Sequence, residues 1–207
     1  MCHHPVVGTT KQDGERVSAE SAAEWAAWLA SNHTQTTGVW LVTWRAQSGR
    51  PSLGYEDSVI EALRFGWIDS TGGTVDADRR ELWFAPRKRG SGWARTNKRR
   101  IDQLRAEGRM EPAGQRLIDA AIADGSWTLL DDAEDLVVPD DLAAAFDPYP
   151  MARTHWDGFP PSARKAILSW IAQAKRPGTR AKRVEETASQ AQAGKRANEW
   201  VARDKRP

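Results

Sequence analysis

Cysteine and long apolar segments are what this sequence lacks most clearly. Among 207 residues the only cysteine is Cys2, which excludes an intramolecular disulfide and leaves no thiol pair for redox chemistry or metal binding. No apolar run approaches the length that spans a bilayer, and the N-terminus has neither the basic nor the apolar region of a signal peptide. These absences predict a cytoplasmic protein without a membrane partner.

The motifs of common enzyme and cofactor sites are also missing. The sequence contains no HExxH pair, no P-loop and no dinucleotide fingerprint, and Ser70 has no convincing histidine partner. Cys2, His3 and His4 are interpreted as a solvated terminus rather than a metal site. The sequence therefore predicts no cofactor and no metal, assigns no catalytic residue, and leaves open whether the protein is an enzyme.

Charge is nearly balanced in total but is distributed unevenly. Lys and Arg number 30, and Asp and Glu number 28. Residues 79–109 hold eleven basic and three acidic residues, residues 119–147 hold nine acidic and no basic ones, and residues 153–207 hold thirteen basic and five acidic ones. Either the acidic segment packs between the basic ones, or a basic face is exposed to a polyanion.

A small β-sheet is predicted from three segments rich in β-branched and aromatic residues. They are residues 39–44, 67–68 and 81–85, and Gly72-Gly73 is interpreted as punctuation between the last two. Helical patterns before, between and after them indicate an α+β fold, with a mainly antiparallel sheet backed by helices and a helical C-terminal portion.

The helices are predicted from apolar periodicity and from capping signals. Ser21 and Glu24 fit a capping box at the start of the first helix. The predicted helical segments lie at residues 22–32, 56–65, 92–107, 112–124, near 140, around 167–174 and at 179–192. The predicted organisation is a flexible tail at 1–17, an α+β core at 18–147, a helical portion at 148–193 packed on it, and a basic tail at 194–207.

Ordered motifs run through most of the chain. They include Gly38-Val-Trp-Leu, Glu61-Ala-Leu-x-Phe-Gly-Trp-Ile-Asp-Ser70, Phe84-x-Pro-Arg87, Trp93-x-x-x-Asn97, Glu134-Asp-Leu-x-x-Pro-Asp-Asp-Leu142 and Ala166-Ile-Leu-x-Trp-Ile171. From about residue 18 to 190 this order resembles the YdeI/OmpD-associated family, also labelled bacteriocin-protection proteins. The resemblance implies a small cytoplasmic bacterial protein connected with resistance to antimicrobial peptides or other toxic agents. It implies no settled reaction and no catalytic residue set.

The predicted ligand site combines aromatic, acidic, amide and basic side chains. Its residues are Trp40, Tyr55, Trp67, Asp69, Arg87, Trp93, Asn97 and Arg100. The three tryptophans would supply apolar walls, Asp69 and Asn97 would orient the ligand, and the two arginines would bind an anionic or carbonyl group. Each tryptophan also fits a core position, and the aspartate and the asparagine also fit structural hydrogen bonds.

The sequence is compatible with three functions. The first is sequestration of a toxic small molecule or antimicrobial peptide in an aromatic-lined pocket. The second is binding of nucleic acid by the basic segment at residues 79–109. The third is an enzyme that modifies the toxic compound with Asp69 or Glu56 as general base. The sequence assigns no oligomeric state.

Overall fold

The computed structural model describes residues 13–199, which divide into two compact units. Among these residues, the first unit holds 13–90 and 96–124, and the second holds 91–95 and 125–199. The first unit combines a sheet with helices, whereas the regular elements described in the second are helices, so the predicted α+β class is confirmed. Cys2, His3, His4 and residues 200–207 of the predicted basic tail lie outside the described residues.

The first unit is built around a four-stranded mixed sheet. Its strands are β1 (Arg16–Ser18), β2 (Val39–Trp44), β3 (Trp67–Thr74) and β4 (Arg79–Pro86). They lie side by side in the order β1-β2-β4-β3. β1 is parallel to β2, whereas β4 is antiparallel to both β2 and β3. The sheet is thus mainly antiparallel, as predicted.

Two features of the sheet differ from the sequence prediction. β1 is not predicted, because three residues are too few to show an alternating pattern. β3 was predicted to end near Ile68 but continues to Thr74 through Gly72-Gly73. A register shift between Asp69 and Gly72 shows a bulge or irregularity there, and the glycines still pair with β4 beyond it.

Four helices accompany this sheet. They are α1 (Ala22–Asn32), α2 (Tyr55–Arg64), α3 (Arg95–Ala106) and α4 (Pro112–Ala123). The cap of α1 is confirmed, because Ser21 Oγ accepts a hydrogen bond from the backbone N–H of Glu24 at 3.2 Å. The predicted start of α3 at residue 92 is wrong. The helix begins at Arg95, whose backbone N–H donates to Glu134 Oε1 at 3.2 Å, so Trp93 precedes it.

Aromatic packing fixes α1 against α2 and β4. Trp25 is fully buried, its ring lies 5.3 Å from that of Phe84, and its Nε1–H donates to the carbonyl oxygen of Ser58 at 3.1 Å. The indole therefore contributes apolar burial while its polar atom is satisfied. Trp28 stacks on Trp25 at 5.2 Å and meets Trp67 edge-on at 5.8 Å.

The C-terminal end of α2 is held by buried charge. Glu61 is 3% exposed and accepts hydrogen bonds from Arg64 and Arg109. Arg64 also donates to Glu111 Oε1 at 3.0 Å and to the carbonyl oxygen of Arg109 at 2.9 Å. These bonds connect α2 to the segment that leads into α4, and they fix the helix whose other end lines the cavity described below.

Between residues 125 and 199, the second unit contains five helices with a core of their own. They are α5 (Asp131–Glu134), α6 (Asp140–Ala145), α7 (Ala152–Gly158), α8 (Pro161–Ala172) and α9 (Pro177–Gln192). Trp156 is fully buried at the centre of the core, with the Phe146 ring 5.9 Å away and the Phe159 ring 6.2 Å away. The apolar face predicted for α8 packs into the same core through Ile167 and Ile171.

Candidate functional site

A cavity of about 370 Å³ lies on one face of the first unit's sheet, and we call it the β2–β4 cavity. Its lining residues are Leu41, Thr43, Arg45, Leu53, Tyr55, Ser58, Gly72, Gly73, Thr74, Arg80, Glu81 and Leu82. They come from strands β2, β3 and β4, from the residue after β2, and from the loop and first turn of α2. The volume is within the range of small-molecule sites, about 300–1,000 Å³.

Strand register explains why the lining side chains of β2 and β4 at Leu41, Thr43, Arg80 and Leu82 share one face. Leu41 pairs with Leu82, Thr43 pairs with Arg80, and Gly72 pairs with Leu82 from the other side. Residues directly opposite each other in a sheet project to the same side. The leucines thus form an apolar floor, and Gly72 leaves open the space that a side chain on β3 would occupy. A Cβ built at Gly72 meets a single atom within 4 Å, the carbonyl oxygen of Glu81 at 3.9 Å.

Two arginines line the cavity beside this floor. Arg80 donates through Nε to Thr43 Oγ1 at 3.2 Å and through Nη2 to the carbonyl oxygen of Leu53 at 3.4 Å. Arg45 donates through Nη2 to Thr74 Oγ1 at 2.9 Å. Among residues 13–199, neither guanidinium forms an ion pair with a carboxylate. Within the described part of the chain, both guanidinium groups therefore lack a carboxylate partner within 4.0 Å.

Tyr55 connects this cavity to the residues predicted from sequence. It is the first residue of α2, lines the cavity, and is 48% exposed. Its hydroxyl donates to Asp69 Oδ2 at 3.0 Å, and the guanidinium carbon of Arg100 lies 5.9 Å from the centre of its ring. Burial, and then the neighbouring Asp69 carboxylate, raise the pKa of the Tyr55 phenol. The tyrosine therefore stays protonated and keeps its hydrogen bond at neutral pH.

Arg100 organises the other polar residues near the start of α2. It donates through Nε to Glu56 Oε1 at 2.7 Å, through Nη2 to Glu56 Oε2 at 2.5 Å, and through Nη1 to Asn97 Oδ1 at 2.7 Å. The hydrogen bonds from Arg100 lower the pKa of Glu56 and raise that of the guanidinium. A carboxylate held in this way is a weak proton acceptor, which argues against Glu56 as a general base.

Four predicted site residues thus come together in the first unit. Tyr55 contacts Asp69 and Arg100, and Arg100 contacts Asn97. The amide of Asn97, predicted to need a partner, finds one in an arginine of its own helix. Of the four, Tyr55 is among the residues that line the β2–β4 cavity.

The predicted tryptophans occupy other places. Trp40 lies on the opposite face of the sheet, because it alternates with Leu41, and its ring meets that of Trp83 at 5.3 Å. Trp67 is fully buried and donates through Nε1 to the carbonyl oxygen of His33 at 3.0 Å. Both have the environment of core residues, and their contact with a ligand remains a prediction.

Arg87 and Trp93 are also set apart from the cavity lining. Arg87 follows β4, its backbone N–H donates to the carbonyl oxygen of Gly66 at 3.0 Å, and burial lowers the pKa of its guanidinium to about 10. Trp93 belongs to the second unit, is buried, and lies 5.1 Å from the Trp127 ring.

Sequence reasoning missed the two cavity arginines and Gly72. Arg80 alternates with Leu82 along β4, which is the pattern of one sheet face and was the available signal. Arg45 follows β2 directly and keeps the same alternation with Thr43. Without the strand order, however, nothing in the sequence shows that these residues and Gly72 share one face.

A second cleft in the first unit, of about 410 Å³, includes another predicted site residue. Its lining includes Phe65, Trp67, Arg89, Arg116 and Leu117. Trp67 is fully buried, whereas Tyr55, which lines the β2–β4 cavity, is 48% exposed. Of the predicted site residues, the β2–β4 cavity therefore includes an exposed one, Tyr55, whereas this cleft includes the buried Trp67.

The basic segment at residues 79–109 is partly neutralised by carboxylates. Its ion pairs include Arg79 with Asp76 at 2.6 Å, Arg95 with Asp135 at 2.6 Å, Arg100 with Glu56, and Arg109 with Glu107 at 2.7 Å. Such pairing weakens the positive electrostatic field that would attract phosphates and gives the nucleic-acid alternative no added support.

Across the described range, no three His, Cys, Asp or Glu side chains are grouped so that they could hold a metal ion. Nor does any helix of residues 13–199 have the length and apolar character to cross a membrane.

Two separate regions of the chain match models of protein families. Residues 17–117, which include every residue of the β2–β4 cavity, match a family model described as Domain of unknown function (DUF8412). Residues 135–194, which include α6 to α9, match the model described as Bacteriocin-protection, YdeI or OmpD-Associated. No curated protein and no solved structure gives a match. The region of residues 135–194 is therefore the part of this chain that matches the bacteriocin-protection, YdeI or OmpD-associated family, a shorter stretch than the sequence motifs implied.

Proposed function

We propose that this chain is a cytoplasmic protection protein that binds a toxic small molecule in the β2–β4 cavity and sequesters it. The observation that carries the proposal is the cavity itself, which combines a leucine floor with guanidinium and hydroxyl groups inside about 370 Å³. Small-molecule sites typically consist of an apolar surface with a few polar groups that fix orientation. The role in protection rests on the description of the family that residues 135–194 match.

The size and lining of the cavity refine the sequence prediction in two respects. The volume suits a small molecule better than a whole antimicrobial peptide, so we propose the former. The lining contains one aromatic residue, Tyr55, and its apolar surface comes mainly from Leu41, Leu53 and Leu82. We therefore expect affinity to come from aliphatic burial and polar contacts rather than from aromatic walls.

Two substitutions at Gly72 test this function. Because a Cβ at this position has open space around it, Gly72→Phe places a ring in the cavity, whereas Gly72→Ala leaves most of the volume free. Aromatic residues are favourable in strands, so we expect both variants to fold. The two proteins are otherwise identical, which makes Gly72→Ala the matched control.

The measurement is a thermal-shift screen of small toxic compounds and antimicrobial peptides. A ligand at about 100 times its dissociation constant stabilises the folded protein by about 2.7 kcal/mol. We expect small-molecule hits with wild type and Gly72→Ala that are absent with Gly72→Phe. Cells expressing wild type or Gly72→Ala should also survive the compound found, and cells expressing Gly72→Phe should not. Hits retained in Gly72→Phe, or hits confined to peptides, would contradict the proposal.

A further inference from the structure

We infer that the ligand of the β2–β4 cavity is an apolar molecule that ends in an oxyanion, either a carboxylate or a phosphate, and that Arg80 and Arg45 bind this end. The inference rests on the proposed function, because it names the chemical class that the same cavity accepts. It also predicts that the oxyanion binds the two arginines and that the apolar part of the ligand lies on the leucine floor.

Arg80 is held in place by its neighbours and retains donors for a ligand. Its Nε–H bond to Thr43 and its Nη2 bond to Leu53 fix the guanidinium plane between the sheet and the loop before α2. Among residues 13–199, no acceptor is bonded to Nη1. An arginine fixed in this way binds a planar or tetrahedral oxyanion with little loss of side-chain entropy.

Arg45 supplies a second positive charge on the same face. It follows Trp44, so its side chain lies on the side of Thr43, and Nη2 reaches Thr74 Oγ1 at 2.9 Å. Arg45 Nε is buried, and no hydrogen-bond acceptor for it lies within the described part of the chain. A buried donor without a partner is unfavourable, and an oxyanion that accepts a hydrogen bond from it would remove that penalty.

The acidic residues around the cavity are already engaged. Glu81 is among the lining residues, but it alternates with Arg80 and Leu82, so its side chain projects to the opposite face of the sheet, where the carboxylate accepts from Arg16 Nε at 3.0 Å. Asp69 accepts from the hydroxyl of Tyr55, and Glu56 is held by Arg100. Within residues 13–199, no carboxylate is therefore paired with either cavity arginine, and an anionic ligand would supply that partner.

The apolar floor determines the rest of the ligand. Leu41, Leu53 and Leu82 offer no hydrogen bond from their side chains, and polar ligand atoms placed on them would lose their hydration without compensation. A free inorganic anion would leave this surface unused. The ligand class that suits both the arginines and the leucine floor is a small aliphatic or aromatic acid.

Calorimetric titration with matched probes tests this inference. The probes are 4-phenylbutyrate, its uncharged amide 4-phenylbutanamide, and 3-phenylpropyl phosphate, which carry the same phenylpropyl group. Wild type should bind each acid about tenfold or more tightly than the amide, because hydrogen bonds to charged groups are the stronger ones. The acid that binds more tightly identifies the oxyanion.

Three arginine variants locate the effect. Arg80→Met and Arg45→Met should each lower the affinity for the acids about tenfold and leave that for the amide within about twofold. Arg99→Met, at an exposed position of α3, is the matched loss of charge and should change neither. Unfolding of each variant without ligand shows that it is folded, and the two cavity variants provide independent tests if one is unstable.

The outcomes separate this inference from the proposed function. Equal binding of acid and amide, lost in Gly72→Phe, would retain the cavity as a binding site and overturn the oxyanion preference. Acid binding that Arg99→Met weakens as much as Arg80→Met does would overturn it too, because general charge would then be the cause. Absence of binding by all probes and by every compound of the thermal screen would overturn both.

Discussion

Replacement of Glu61 by glutamine should destabilise the first unit more than any other single loss of charge on α2. Glu61 is buried and accepts hydrogen bonds from Arg64 and Arg109. Glutamine keeps the shape and one oxygen, but it removes the charge and directs an N–H₂ group at an arginine donor. Removing one partner of a buried ion pair typically costs about 3–5 kcal/mol.

The expected cost here is smaller, about 2–3 kcal/mol, because both arginines keep other partners. Arg64 retains Glu111 at 3.0 Å, and Arg109 retains Glu107 at 2.7 Å, so neither is left as an isolated buried charge. Urea unfolding followed by far-ultraviolet circular dichroism measures the effect. With a slope of about 2 kcal/mol per molar, the midpoint should fall by about 1–1.5 M without a change in slope.

Glu111→Gln is the matched control for this prediction. Glu111 bonds the same Arg64, but its side chain is 37% exposed, so its loss should cost less than about 1 kcal/mol. If Glu61→Gln costs no more than Glu111→Gln, burial does not determine the strength of this network, and the reasoning is refuted.

Three further predictions concern pH and packing. Because Arg100 lowers the pKa of Glu56, their ion pair stabilises the fold above the ordinary pKa of 4.5, and this contribution is lost as pH falls through the lowered pKa. In urea unfolding, wild type should be more stable than Glu56→Gln by less than about 1 kcal/mol at pH 7, and the difference should shrink as the pH is lowered below 4.5. Burial raises the pKa of Tyr55, so the protonated phenol contributes to folding stability below its ordinary pKa of 10, and this contribution is lost as pH rises through the raised pKa. The absorbance titration of wild type minus that of Tyr55→Phe should therefore show a phenolate transition above pH 10. A transition at or below pH 10 would contradict the hydrogen-bonded geometry. Gly114→Ala places a methyl group 2.3 Å from a carbonyl oxygen of α2 and should lower the free energy of unfolding by about 1–3 kcal/mol, as measured by thermal unfolding. The control is Gly178→Ala in α9, whose methyl group meets nothing within 4 Å and should leave stability unchanged or raise it.

The sequence predicts elements whose signals are local. The cap at Ser21 and the apolar stripe that follows it determine α1, and the β-branched run at residues 39–44 determines β2. β3 illustrates the opposite case, because Gly72-Gly73 resembles a turn when read alone. The glycines remain in the strand because β4 pairs with them, and that pairing depends on residues distant in sequence.

The residues of the candidate site also differ in whether local sequence signals predict them. Tyr55, Asp69, Asn97 and Arg100 stand out in the sequence because polar groups lie among apolar ones, and the structure joins them by hydrogen bonds and a ring contact. Arg80 was missed because its role depends on the register that places it opposite Thr43. For the predicted tryptophans, size alone does not distinguish a buried ring from one that lines a cavity.

Nuclear magnetic resonance tests the cavity most directly. Wild-type protein labelled with ¹⁵N would be titrated with the best small-molecule hit of the thermal screen, and the backbone amide shifts would be followed residue by residue. Binding in the β2–β4 cavity predicts the largest shifts at Thr43, Gly72 and Leu82, with residues 125–199 unchanged. Shifts confined to residues 125–199, or centred on the cleft at Phe65 and Leu117, would contradict it.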